Sequence, residues 1–364
     1  MRLVVKIGTS SLTHEDGGLD TSAISKLCAE VADARADGHQ VVLVTSAAIT
    51  AGLPYLGFAG GGRPRDTLTL QAAAAVGQSR LLRAYDDGFA VHGLVAGQVL
   101  LSPHDFCDRR QYLHARDTLA RLVQLGVVPV VNENDAVADD EIRFGDNDRI
   151  AALVAHAVGA DLLVLLTDTA GLFTADPRAD EHASLVEEVS AAEHELAVAV
   201  GGAGTDRGSG GMASKLAAAR MATWTGTRAV IAAATRAGVL RGAIAGERVG
   251  TQFQARPQRL SARKLWIAFA MPSGGRIVVD DGARGALLEG SSSLLLPGVV
   301  GVEGHFGADE GVEIVDRTGA VLAKGVVRLD APTLAVHAGR RAADVPIGPR
   351  PEVVHRDDLV VLAS

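Results

Sequence analysis

The stretch VVPVVNENDAVADDEIRFGDNDRIAALVAHAVGADLLVLLTD, residues 127–168, reads as strand, polar connection, helix, strand. Its two apolar runs, 127–131 and 161–167, are short, rich in Val and Leu, and lack polar alternation. That is the pattern of strands buried on both faces. Between them, residues 147–158 form an Ala-rich helix candidate. Strands of this kind separated by a helix argue for a mostly parallel sheet. The connection carries seven Asp or Glu and three Asn in the eighteen positions 131–148. Such a stretch is either a solvated loop or a ligand-gripping segment at the carboxyl end of a strand, where open parallel sheets bind their ligands.

The alternation continues on both sides. Strands are predicted at 3–8, 40–45, 94–101 and 228–233, and helices near 20–37, 68–87, 109–125 and 211–225. Together they predict an α/β fold over residues 1–256, an open, mostly parallel sheet sandwiched by helices. From 257 the character changes. Residues 257–272 read as a basic, polar linker, and 273–364 as a small β-rich domain punctuated by Gly and Pro, with a short helix at 281–288.

Bulk properties narrow the function. A chain of 364 residues suggests two domains. A formal net charge of −8 argues against general affinity for nucleic acid or anionic membranes. Residues 257–364 hold 12 Lys plus Arg against 13 Asp plus Glu, without the basic footprint that RNA binding needs. The two cysteines, Cys28 and Cys107, lie far apart, and neither CxxC nor HExxH occurs, so a disulfide framework and a zinc site are not expected. No apolar run approaches the roughly 18 residues that span a bilayer, and the chain opens on the strand-like RLVVKI instead of a signal segment. A soluble cytoplasmic protein is predicted, with no membrane partner.

The residues that follow each strand carry the candidate chemistry. Lys6 interrupts the first strand and is followed by Gly8, Thr9, Ser10 and Ser11. It is either a lysine reaching out from a strand edge or one that meets an anion, with small residues that let a phosphate approach the backbone. Ser46, after the second strand, is a plain helix N-cap or an anion ligand. Asp135, Asn147 and Asp148 lie in the acidic stretch, where carboxylates and amides can hold an ammonium group and orient lysines. Thr167 and Asp168 end the strand 161–167 and could read a base or ribose. GTDRGSGGMASK (204–215) is a Gly-rich entry into a helix, suited to phosphate, with Lys215 in the first turns. It is neither a Walker A loop nor a GxGxxG fingerprint.

In this order VVKIGTSSL, VTSAAITAG, QAAAAVGQ, VNENDAVA, FGDND, LLTD-xx-GL-xx-ADPR and GSGGMASK resemble the amino acid kinase family, and within it the glutamate 5-kinases. Residues 273–364 look like the PUA domain that bacterial members append. The resemblance implies ATP-dependent phosphorylation of the L-glutamate side-chain carboxylate, the first step of proline biosynthesis, with ATP and Mg²⁺ as cofactors and no protein ligand named for the metal. It implies catalytic roles for Lys6, Lys215 and Asp148, the aspartate holding the two lysines in place. Ser46, Asp135 and Asn147 would bind glutamate. Lys6, Thr167, Asp168, Ser209, Gly210, Gly211, Met212, Ala213, Ser214 and Lys215 would bind ATP. It further implies feedback inhibition by proline, a homo-oligomer, and hand-over of product to glutamate-5-semialdehyde dehydrogenase. The alternatives are a relative with another acceptor, of the acetylglutamate, aspartate or UMP type, and an RNA-binding PUA protein. Three positions depart from the family pattern: Ala47 for Gly, Leu70 where Lys is common, and Ser209 for Thr. With lysines and acids otherwise intact, Ala47 is expected at negative φ, which alanine tolerates.

Overall fold

The computed structural model describes residues 1–14, 16–58, 64–106, 108–137, 147–177, 179–189, 211–256, 260–289, 292–340 and 352–362. Two compact units divide the chain, Met1–Arg259 and Leu260–Ser364.

The first unit runs β1 (Arg2–Ile7), α1 (Thr21–Ala36), β2 (Gln40–Val44), α2 (Ala48–Gly52), α3 (Thr67–Ala90), β3 (Ala96–Leu101), α4 (Arg109–Gln124), β4 (Val128–Glu133), α5 (Asn147–Val158), β5 (Leu162–Thr167), β6 (Glu188–Val189), α6 (Met212–Trp224), β7 (Arg228–Ala233), α7 (Val239–Ala245) and β8 (Gly250–Phe253). The strands form one sheet in the order β3-β4-β2-β1-β5-β7-β8-β6. Every pairing is parallel except β7 with β8. β6 and β8 were not expected: β6 is two residues long, and GTQF in β8 carries no apolar run for periodicity to detect.

The strand period of two sorts the residues of β1 between the faces of the sheet. Leu3, Val5 and Ile7 join an apolar core with Ile24, Leu27 and Val31 of α1, Leu81, Tyr85 and Phe89 of α3, and Val239 and Leu240 of α7. Val4 and Lys6 therefore face the opposite layer, where α5 packs on α4 and α6. At the carboxyl ends Lys6 lies level with Val44 of β2 and Leu165 of β5, and Leu101 of β3 with Glu133 of β4. The direction of connection reverses at β1: β2 lies on one side, and the chain crosses to the other side to form β5. In open α/β sheets ligands bind at such a switch point, outside the carboxyl ends of the strands.

The second unit comprises α8 (Ala262–Leu265), a π-helical turn (Trp266–Ala270), β9 (Ser273–Val279), α9 (Asp281–Leu288), β10 (Leu294–Leu295), β11 (Val299–Gly304), β12 (Gly311–Val315), β13 (Val321–Val327), α10 (Ala331–His337) and β14 (Glu352–Val361). Its strands form a mixed sheet in the order β10-β14-β13-β12-β9-β11 around a core that includes Ile277, Val279, Ile314 and Leu334. No helix among the described residues is long and apolar enough to cross a membrane.

Candidate active site

Three buried charges meet at the switch point. The Lys6 ammonium lies 2.7 Å from Asp148 Oδ1, and the Lys215 ammonium 3.3 Å from Asp148 Oδ2. The residues are 3%, 0% and 4% exposed in the order Lys6, Asp148, Lys215. Ser214 Oγ lies 2.6 Å from Asp148 Oδ2, where it can donate, and 2.8 Å from the Gly211 carbonyl. The groups arrive on three elements: Lys6 on the face of β1 turned to α5, Asp148 in the first turn of α5, and Ser214 and Lys215 in the first turn of α6.

Burial alone would push the Asp148 carboxyl up, but Lys6 and Lys215 outweigh it and hold the group below its ordinary value. Lys215 moves down, first because burial disfavours its charge and further because Lys6 is near; Asp148 opposes both. Lys215 therefore releases its proton at a lower pH than an exposed lysine does. Two ammonium groups share one carboxylate in a buried place, and Asp168 adds a further attraction on Lys215. An anionic ligand beside the lysines would be attracted by both.

On the β2–β4 side the strand ends bring polar side chains together. Thr45 N donates to the Val131 carbonyl at 2.9 Å, setting Ser46 beside the end of β4. Glu133 N is shared by two carboxamide oxygens, Asn132 Oδ1 at 2.9 Å and Asn147 Oδ1 at 3.2 Å. Asp135 opens a 3₁₀ turn (Asp135–Val137) directly after β4. Ser46, Asp135 and Asn147 are all buried, at 9%, 8% and 3% exposure. A merely solvated stretch would not bury Asn147, Asp148 and Asp135. Residues 138–146 of that stretch lie outside the described residues. At the end of β5, Thr167 is buried and its Oγ donates to Asp168 Oδ1 at 3.1 Å. Of the glycine-rich loop, Gly211 caps α6, followed by Met212, Ala213, Ser214 and Lys215, while Ser209 and Gly210 lie outside the described residues.

One expectation is overturned. Ala47 has φ 83° and ψ 3°, in the left-handed region. Ala47 leads directly into α2, which packs closely on α3: a Cβ at Gly52 would sit 1.9 Å from the Ala73 carbonyl oxygen, and one at Gly77 1.8 Å from that of Ala48. A turn that must deliver α2 into so close a contact is where a strained φ is tolerated. Leu70, the second departure, packs with Ile49, Ala73 and Ala74 in an apolar cluster. The residue reading missed Gln78 and Tyr85, seven apart on one face of α3. Gln78 bonds Asn132, and Tyr85 bonds Thr45 at 2.8 Å.

The profile of the amino acid kinase family matches residues 1–233. The chain belongs to this family. The PUA domain profile matches residues 275–347. Among curated relatives, glutamate 5-kinase of Paraburkholderia phytofirmans is 45% identical over 99% of this chain and 98% of the relative. Glutamate 5-kinase of Burkholderia mallei is 46% identical over the same shares. The solved carbamate kinase from Giardia lamblia bound to AMP-PNP matches with a TM-score of 0.50 at 16% identity, covering 70% of this chain and 98% of that one. At that identity the likeness speaks for the amino acid kinase fold alone.

Proposed function

We propose that this chain transfers the γ-phosphoryl group of ATP to the side-chain carboxylate of L-glutamate, the first step of proline biosynthesis. The observation that carries the reading is the buried Lys6–Asp148–Lys215 cluster at the carboxyl end of β1. It stands in a chain of which 99% aligns with glutamate 5-kinase at 45% identity.

The acceptor's carboxylate is ionised at neutral pH and needs no general base. What opposes the reaction is repulsion between that carboxylate and the phosphates. Lys6 and Lys215 put two positive charges between them, and Asp148 with Ser214 holds Lys215 in place, so the field is set before substrate arrives. Ser46, Asp135 and Asn147 orient the acceptor for in-line attack. Thr167, Asp168 and the loop 209–215 hold the nucleotide, with the amide groups of α6's first turn directed at phosphate. Mg²⁺ would further neutralise the phosphates. Asp148 is spent on two lysines, and among the described residues no group of three or more His, Cys, Asp and Glu could hold a metal. The ion would be carried mainly on the nucleotide's own oxygens and water, and no protein ligand is named for it.

The same reading assigns residues 1–256 as the catalytic domain, 257–272 as a linker and 273–364 as the PUA-like domain. Likeness to the glutamate 5-kinases also supports feedback inhibition by proline, a homo-oligomeric state and a cytoplasmic location. An acyl phosphate hydrolyses readily, which favours direct delivery to glutamate-5-semialdehyde dehydrogenase. ADP release should be measured with glutamate, aspartate, acetylglutamate and UMP, with hydroxylamine trapping of any acyl phosphate. Trapped product is expected with glutamate at a kcat/KM at least tenfold above the other acceptors. A higher value for another acceptor would replace glutamate in this reading.

A further inference from the structure

Gln78 sits in the middle of α3, 9% exposed, and has no part in the cluster of lysines. Its Oε1 accepts from Asn132 Nδ2 at 2.7 Å, while its Nε2 is buried with no partner. A buried donor without an acceptor is expensive, so the orientation of this amide is not the one that suits Gln78 best. Flipping it would set two NH₂ groups against each other. The bond to Asn132 thus fixes both amides.

The consequence runs on into the acceptor side of the site. With Nδ2 spent on Gln78, Asn132 turns its Oδ1 to Glu133 N, the same donor that Asn147 Oδ1 accepts. Glu133 N thus anchors both carboxamide oxygens, and the polar atom of Asn147 not spent on Glu133 is its Nδ2, a donor suited to a carboxylate. The anchorage of α3 is firm: Tyr85 Oη lies 2.8 Å from Thr45 Oγ1, next to Ser46, and the backbone at Gly77 abuts Ala48. One helix thus holds the ends of both β2 and β4.

We propose that Gln78 is a positioning residue for the acceptor: through Asn132 it holds the Glu133 N–H on which Asn147 is anchored, so that Asn147 can offer its N–H to the acceptor's carboxylate. This rests on glutamate being the acceptor.

The test compares Gln78→Met, which keeps the volume and loses the acceptor oxygen, with Gln78→Glu, which keeps an oxygen for Asn132. Each variant is assayed as the full chain for glutamate KM, ATP KM, kcat and thermal midpoint. Gln78→Met should raise glutamate KM tenfold or more, with kcat and ATP KM within threefold of the parent. Gln78→Glu should recover most of that loss. A glutamate KM within twofold in a folded Gln78→Met would overturn the inference. So would equal losses in both variants, a proportional fall in kcat and ATP affinity, or the unfolding of both, each of which makes Gln78 merely structural. Failure of the parent to phosphorylate glutamate at all would instead overturn the assignment of the acceptor.

Discussion

Ala47 bears a left-handed backbone with its methyl in the apolar core shared by β1, α1 and α3. For a residue with a Cβ that conformation costs roughly 1–2 kcal/mol. Replacing it by glycine removes the cost but frees the unfolded chain by about 0.4–1 kcal/mol and gives up a buried methyl worth about 0.8 kcal/mol. The contributions nearly cancel. Ala47→Gly should therefore move the thermal midpoint by no more than about 3 °C. Its kcat/KM for glutamate should stay within about tenfold, because the methyl faces the core. Ala47→Val should lower the midpoint further, since a β-branched residue at positive φ is an outlier. A gain in kcat/KM well above tenfold for Ala47→Gly would mean that the methyl reaches the acceptor. At this scale the lysines were legible because a cation inside an apolar strand, or just beyond a glycine-rich helix entry, asks for an anion. The φ of Ala47 was not legible. It accompanies a tertiary contact, that of Gly52 in α2 with Ala73 in α3, between residues more than twenty apart in the chain.

Among the elements, long periodic segments announced themselves. α5 was expected at 147–158 and forms over Asn147–Val158, and α4 was expected at 109–125 and forms over Arg109–Gln124. Short elements held by tertiary contact did not. α2 is the five residues AITAG, too small and too uniform for a helical stripe, and it exists because glycines let its backbone meet that of α3. The polar work of α3 was hidden for a related reason. QAAAAVGQ drew notice only through resemblance to the family, because a glutamine in an Ala-rich helix reads equally well as a surface residue. Its burial at 9% and its bond to Asn132 depend on β4 lying across the sheet. The acidic connection went the other way. Its composition left a solvated loop and a ligand-gripping segment both open, the resemblance to the family implied the second, and Asp135, Asn147 and Asp148 are buried.

Over the whole molecule, every residue of the lysine cluster and of the strand ends lies in the unit Met1–Arg259. That unit closes on itself: Arg256 N donates to the Thr223 carbonyl at 3.0 Å, and its guanidinium lies 4.1 Å from the centre of the Trp224 ring. A chain truncated after residue 259 should stay folded and keep glutamate-dependent turnover, checked by circular dichroism and ADP release. A folded but inactive truncation would show that residues 260–364 complete the site. The division into an α/β unit and a β-rich one was legible from the change in punctuation near 256, but the helical residues 262–270 were not, because RPQRLSARK is basic and polar like a linker. The claim on which all of this depends is that two buried lysines, organised by Asp148, supply the charge for phosphoryl transfer. Its most direct test is the rate of hydroxylamine-trapped glutamyl phosphate formation by Lys6→Ala. Losing one preorganised charge donor should lower kcat by roughly 10²-fold or more, with glutamate KM within about threefold of the parent. A folded Lys6→Ala protein with near-native kcat would contradict the account.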